Sequence, residues 1–304
     1  MTWRSEANLR WLRALPNVES NRPLAKLTSF NIGGPADFYA EASEVAALER
    51  IVGECAARGV PYLLLGAGTN LLVADAGLEG LVLRCEIRGH RVHGDRIQAG
   101  AGLKMMRLAR IAAEADLVGL EFAIGVPGSV GGAVYQDAGC WGRELREVLV
   151  EAEGFVPGQG HQTWPAGRLQ LGYRTSAFRG GDLHGTLITG ATVQLAPGDG
   201  AEAKRTMARL TAERNRTQPI RTKNCGSVFK NPPGDSAGRL VEAAGLKGAR
   251  QGEAQISELH ANFIVNHGGA AAADVLALIR RAQDAVSKRF GVELEPEVEL
   301  VGRW

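Results

Sequence analysis

A chain of 304 residues, 45% hydrophobic and 22% charged, carries enough apolar material for a full core and enough length for at least two domains, which excludes a disordered or fibrous protein. Its net charge of +2, with no arginine-lysine stripe interleaved with aromatics, argues against nucleic acid as a partner. Cys55, Cys85, Cys140 and Cys225 are scattered without a C-x-x-C pair, so neither a zinc site nor a disulfide framework is expected; with no apolar run of signal-peptide or membrane-span length, the expected location is the cytoplasm.

Residues 1–25 read as a helix followed by a proline-containing connection, with Leu9, Leu12 and Leu15 on one face as a packing arm. In TSFNIGGPAD, residues 28–37, Gly33 and Gly34 before Pro35 form a turn into a strand over 38–40, either a ligand wall or a purely structural turn. Ser43 suits the cap of a helix whose apolar face is Val45, Leu48, Val52 and Cys55, ended by Gly59-Val60-Pro61. A strand over 62–65 then enters the turn Gly66, Ala67, Gly68, Thr69, Asn70, and Leu71 opens the next strand. This is not the dinucleotide fingerprint, because Leu71 stands where the third glycine belongs and a strand follows. Strands over 81–83 and 97–99 and a helix over 103–115 continue an α+β pattern. His90 and His93, in a polar turn without paired carboxylates, read as an exposed hairpin and not as metal ligands.

The stretch 119–142, GLEFAIGVPGSVGGAVYQDAGCWG, is the most informative in the chain. Gly125, Val126, Pro127, Gly128, Ser129, Gly131 and Gly132 let successive backbone N–H groups converge on an anion where a turn enters a helix, although a pair of tight turns would use the same glycines. Two such cradles, at 66–70 and 125–132, suit a long ligand bearing a pyrophosphate. Strands follow over 148–156 and 187–195. Between them Tyr173-Arg174 presents either an arginine stem packed on a ring or a fork aimed at a carboxylate. Residues 197–200 are the best boundary, before a helix over 201–216. Ser227, in NCGSVFKNPP, has no Gly-x-Ser-x-Gly elbow and reads as a hydrogen-bonding or proton-donating serine; Lys230 and Asn231 beside it suit an anion or a solvated loop. A helix over 237–244 stops at Gly245, a strand spans 260–266 from His260 through Asn262, and a core-packed helix covers 272–290. The tail holds Glu297 on an extended segment after Pro296.

Taken in order, TSFNIGGPAD, LGAGTNLLVADAG, GLEFAIGVPGSVGGAV, YRTSAF, CGSVFKNP, GLKG, HANFIVN and LEPEVELVG resemble the UDP-N-acetylenolpyruvoylglucosamine reductase (MurB) family over nearly the whole chain. The resemblance implies an α+β fold: an N-terminal arm over 1–27, an FAD-binding domain of the vanillyl-alcohol-oxidase (PCMH) type over 28–197, and a smaller C-terminal substrate-binding domain over 198–304. It implies non-covalent FAD held by residues 66–71 and 125–132, and NADPH as the hydride donor. The substrate it implies is UDP-N-acetylglucosamine enolpyruvate, reduced in peptidoglycan precursor synthesis by a monomer. Arg174 matches the family's arginine that polarises the substrate carboxyl group, Glu297 the glutamate that assists it, and Ser227 the proton donor. Tyr173, Lys230, Asn231, His260 and Asn262 are the implied substrate contacts.

The departures are specific. Tyr135-Gln136-Asp137-Ala138-Gly139 stands where the family has Met-Asn-Ala-Gly, so no role is carried over to Asp137. The short link from Ser227 to Gly248, and the lack of a tyrosine between Phe178 and Leu187, resemble the shorter subclass without a substrate-clamping tyrosine. Two rivals are an oxygen-using FAD oxidase of the same cofactor fold and a non-enzymatic nucleotide-binding protein.

Overall fold

Helix boundaries follow apolar spacing and glycine stops in the computed structural model, which describes residues 3–304. Val45–Arg58 buries Leu48, Ile51, Val52 and Cys55 on one face and ends where Gly59 takes a left-handed φ of 63°. Its N-cap is Glu44, with no side-chain capping bond, rather than Ser43. Ala272–Phe290 buries Val275, Leu278, Ile279, Ala282 and Val286 and ends at left-handed Gly291. Met105–Glu114 and Gly200–Thr217 also lie where the sequence predicts helices.

Packing gathers the chain into two units that interleave along the sequence. One holds residues up to 20, 38–67 and 80–212; the other holds 21–37, 68–79 and 213–304. This differs from the expected consecutive division at 27 and 197, because segments distant in sequence pair with the C-terminal part: Leu71–Val73 lies parallel to Glu299–Val301, with Leu72 opposite Leu300.

In the first unit an antiparallel sheet runs in the order Gly160–Pro165, Leu149–Val156, Leu187–Gln194, Arg96–Gly100, His90–His93. Arg96–Gly100 alternates as a half-buried strand should, Ile97 and Ala99 inward and Arg96 and Gln98 outward. Leu187–Gln194 is buried on both faces except at Gln194, and the short helix Val130–Gln136 packs on it. Tyr62–Leu65 lies parallel to Leu78–Cys85, with Leu63 opposite Val82. His90–His93 is exposed along its length, and no cluster of metal-ligating side chains occurs among the described residues. Glu19–Pro23 and Gly160–Pro165 are strands that periodicity does not reveal, since the first is almost wholly exposed and the second has Trp164 as its one large apolar residue.

The second unit has its own core around Phe30, Leu72, Val228, Leu240, Val275 and Leu278. Arg250–Gln251, Ala254–Ile256 and Ile264–Asn266 form a small antiparallel sheet. The expected strand over 260–266 is thus reduced to its last three residues, because His260 to Phe263 closes a turn, with the Phe263 N–H donating to the His260 carbonyl. Ala271, the N-cap of the long helix, has no hydroxyl or carboxylate; Asp75 supplies one instead, accepting from the Ala272 and Ala273 N–H groups at 2.8 and 3.0 Å. Among the described residues no helix is long and apolar enough to cross a membrane.

Candidate active site

Two glycine-rich turns, sixty-odd residues apart, meet in the first unit. The strand Tyr62–Leu65 ends at Gly66, and a Cβ added there would stand 2.6 Å from Ser129 Oγ, so only glycine admits this approach. Ser129 is the N-cap of Val130–Gln136, its hydroxyl accepting from the Gly132 N–H, while the Gly131 N–H donates to Ala101. Ser129 itself is 3% exposed. Among the described residues, the N–H groups of Gly128 and Ser129, and those of Gly66 and Ala67, find no acceptor. Ser129 is buried and Gly66, Ala67 and Gly128 are half-buried, and uncommitted N–H groups on two adjoining turns suit an anion.

The end of the same helix carries the arginine. Asp137, fully buried, caps it at a left-handed φ of 46° and binds both the backbone N–H of Arg146, at 2.8 Å, and its guanidinium, at 2.5 Å. An acidic or amide side chain suits this conformation, and the carboxylate ties down the following loop. Ser176 Oγ donates to the Tyr135 carbonyl at 2.5 Å, pinning the turn 172–175 onto the helix. Gly172 and Thr175 close that turn with reciprocal backbone bonds, and Arg174 sits at its corner with φ 56°. Its Nη2 donates to the Gly139 carbonyl at 3.3 Å, its guanidinium lies 5.0 Å from the Tyr173 ring centroid, and its own carbonyl accepts from Arg179. A non-glycine residue in this conformation is uncommon, and such outliers cluster at functional sites.

The remaining candidates assemble separately in the second unit. The segment around Ser227 runs antiparallel to the tail: Phe229 bridges Pro296, the Glu297 N–H donates to the Val228 carbonyl at 2.8 Å, and the Lys230 N–H donates to Glu295 at 2.9 Å. This register sets Glu297 opposite Val228, the residue that follows Ser227. Glu297 is only 8% exposed, while the half-buried Ser227 hydroxyl makes no hydrogen bond among the described residues. Asn70, from the first glycine-rich turn, donates its side-chain amide to the Glu297 carbonyl at 3.0 Å, and its carbonyl accepts from the Glu299 N–H at 3.0 Å. Burial, reinforced by the nearby Glu297 charge, pushes the Cys225 thiol far above the usual range, so it is an inert neighbour.

The predicted substrate contacts divide by what their polar atoms already do. Asn262 spends its amide on Phe229, accepting from its N–H and donating to its carbonyl at 2.9 Å each, which holds the strand carrying Ser227. Asn231 accepts from the Ala237 N–H at the start of a helix, and Lys230 is ion-paired with Glu295. His260 accepts the Asn262 N–H at Nδ1, leaving its proton on Nε2, and packs edge-on to Phe263. Burial lowers its pKa, so the neutral ring presents one N–H donor.

Two family profiles match: "FAD binding domain" over residues 36–163 and "UDP-N-acetylenolpyruvoylglucosamine reductase, C-terminal domain" over 218–301. The UDP-N-acetylenolpyruvoylglucosamine reductase of Synechococcus sp. (strain JA-3-3Ab) is 46% identical over 288 residues, 94% of this chain and 91% of the relative. That of Anaeromyxobacter sp. (strain Fw109-5) is 44% identical over 304 residues, covering 99% and 93%. The crystal structure of the MurB reductase from Thermus caldophilus, 36% identical, superposes with a TM-score of 0.79 over 94% of this chain and 98% of that one.

Proposed function

Starting from the chain's membership of the UDP-N-acetylenolpyruvoylglucosamine reductase family, we propose how its own residues divide the work of that enzyme. The protein is an FAD-containing reductase that uses NADPH to convert UDP-N-acetylglucosamine enolpyruvate to UDP-N-acetylmuramate for peptidoglycan synthesis. The unspent amides of Gly66, Ala67, Gly128 and Ser129 fit the pyrophosphate of a dinucleotide, and the contact of Gly66 with Ser129 supports one ligand for both turns. Gly68, Thr69, Asn70 and Leu71 continue the first turn, and Gly125, Val126, Pro127, Gly131 and Gly132 complete the second. Bound FAD supplies a ring that carries a hydride from NADPH to the substrate.

At the reacting group, hydride reaches the methylene carbon of the enolpyruvyl ether, and negative charge builds on the carboxyl group of the adjacent carbon. Arg174, held in position by Gly139 and Ser176, stabilises that charge with a planar fork, and Glu297 assists at the same carboxyl group. Ser227 delivers the proton to the adjacent carbon; its hydroxyl, uncommitted among the described residues, is available to the substrate. Tyr173, stacked under Arg174, Lys230 and His260 contact the substrate, while Asn231 and Asn262 hold the segments that present them. The division into an arm over 1–27 and domains over 28–197 and 198–304 describes the order of these tasks along the chain. The enzyme works as a cytoplasmic monomer, where nucleotide-sugar substrates are found.

The observation that carries this reading is the register that puts the buried Glu297 opposite Val228, directly after Ser227 in the chain. The visible spectrum of the purified protein tests it: a flavin band that bleaches with anaerobic NADPH and returns on adding UDP-N-acetylglucosamine enolpyruvate is expected. A protein that takes up no FAD, or a reduced flavin that oxygen but not this substrate reoxidises, overturns it.

A further inference from the structure

Resting on FAD as the ligand of the Gly125–Gly132 turn, we propose that Trp141 is a cofactor-binding residue, its indole a fixed aromatic wall against which the flavin ring system lies. Gly139–Cys140 pairs with Arg143–Glu144, Cys140 opposite Arg143, which makes Trp141 and Gly142 the two corner residues of a tight hairpin. Both are left-handed, with φ of 54° and 73°. Such a corner favours Asn-Gly, because a bulky side chain suffers a steric penalty at positive φ. Tryptophan is therefore a poor choice for the hairpin itself.

The placement of the ring points to what it does instead. A Cβ added to Gly125 would stand 2.4 and 2.5 Å from Trp141 Cζ3 and Cη2, so the six-membered end of the indole lies directly on the glycine backbone of the cradle. Trp141 nevertheless remains 37% exposed, unusual for the largest apolar side chain when it could be folded away. The hairpin is braced on both sides: the Gly139 carbonyl accepts from Arg174, the Leu145 N–H donates to Ala138, and Asp137 holds Arg146. A rigid hairpin thus carries a partly open aromatic surface between the glycine-rich turn and Arg174. A planar heteroaromatic ring held by that turn would stack on it or meet its edge.

The test uses the full-length protein and the variants Trp141→Gly, which suits the left-handed corner, and Trp141→Tyr, which keeps a ring. FAD release on dilution is followed by flavin fluorescence, and thermal melting is measured without added FAD. Trp141→Gly should melt no lower than the parent yet bind FAD about ten-fold more weakly, the scale of losing one aromatic stacking partner. Trp141→Tyr should keep affinity within about three-fold, which is less than one aromatic pair contributes. Unchanged FAD affinity in Trp141→Gly overturns the proposal, as does a lower melting temperature, which would assign the indole to the fold. A parent protein that binds no FAD defeats both this proposal and the reading beneath it, whereas a parent that binds FAD equally with or without Trp141 defeats this proposal alone.

Discussion

The side-chain amide of Asn70 holds the backbone of Glu297 from 227 residues away, donating to its carbonyl at 3.0 Å. Asn70 belongs to the glycine-rich turn by sequence, yet it also anchors the segment that carries the glutamate. Replacing it with Asp keeps the size and removes the donor, setting a carboxylate against a carbonyl oxygen. Asn70→Asp should lower kcat for substrate reduction by about a hundred-fold, the scale of an ångström-sized misplacement. Steady-state kinetics, normalised to flavin content from the visible spectrum, checks it; full activity per bound flavin would make the contact incidental.

Arg174 combines a left-handed backbone with a guanidinium resting on Tyr173. Arg174→Lys keeps the charge and loses the planar fork, so reoxidation of reduced flavin by substrate should slow by roughly ten- to a thousand-fold. Stopped-flow mixing of prereduced enzyme with substrate measures this. Flavin reduction by NADPH, which involves no substrate carboxyl group, should be unaffected.

Ser227 separates the half-reactions in a second way. Flavin reduction requires no proton delivered to carbon, whereas product formation does. Ser227→Ala should leave bleaching by NADPH nearly intact and slow its reversal by about a hundred-fold. Equal slowing of both halves would assign Ser227 to positioning of a shared site.

Burial lowers the pKa of His260, which fixes the sign of a pH effect. A histidine harder to protonate folded than unfolded costs no stability while both states are neutral, above the unfolded value of about 6.5. As pH falls below that value the unfolded state binds the proton first, and stability is lost until the folded ring also titrates. His260→Gln should therefore flatten the decline in urea midpoint between about pH 6.5 and the folded pKa. A variant with an unchanged slope would show that another group titrates there.

Local chemistry made much of this protein legible in the chain. The helix Ala272–Phe290 is bounded by its apolar period and by Gly291, and Arg96–Gly100 by strict alternation, because those signals depend only on neighbours along the sequence. The glycine-rich turns, Arg174, Ser227 and Glu297 were visible as motifs for the same reason. The polar strand Gly160–Pro165 was not, since its place in the sheet comes from pairing with Leu149–Val156 rather than from its own pattern.

Tertiary structure alone decided which of those motifs meet. No spacing rule connects Asp75 to the helix it caps 197 residues later, Asn70 to Glu297, or Trp141 to the face of Gly125. Asn262 looks like a substrate contact in the sequence, but the fold spends its amide on Phe229; Asp137, to which the sequence assigned no role, is spent on Arg146. The sequence by itself determined the donors, acceptors and turns available, because these are properties of residue type and local conformation. Which donor finds which acceptor depends on packing that brings distant segments together, and buried polar groups accept whatever partner that packing supplies.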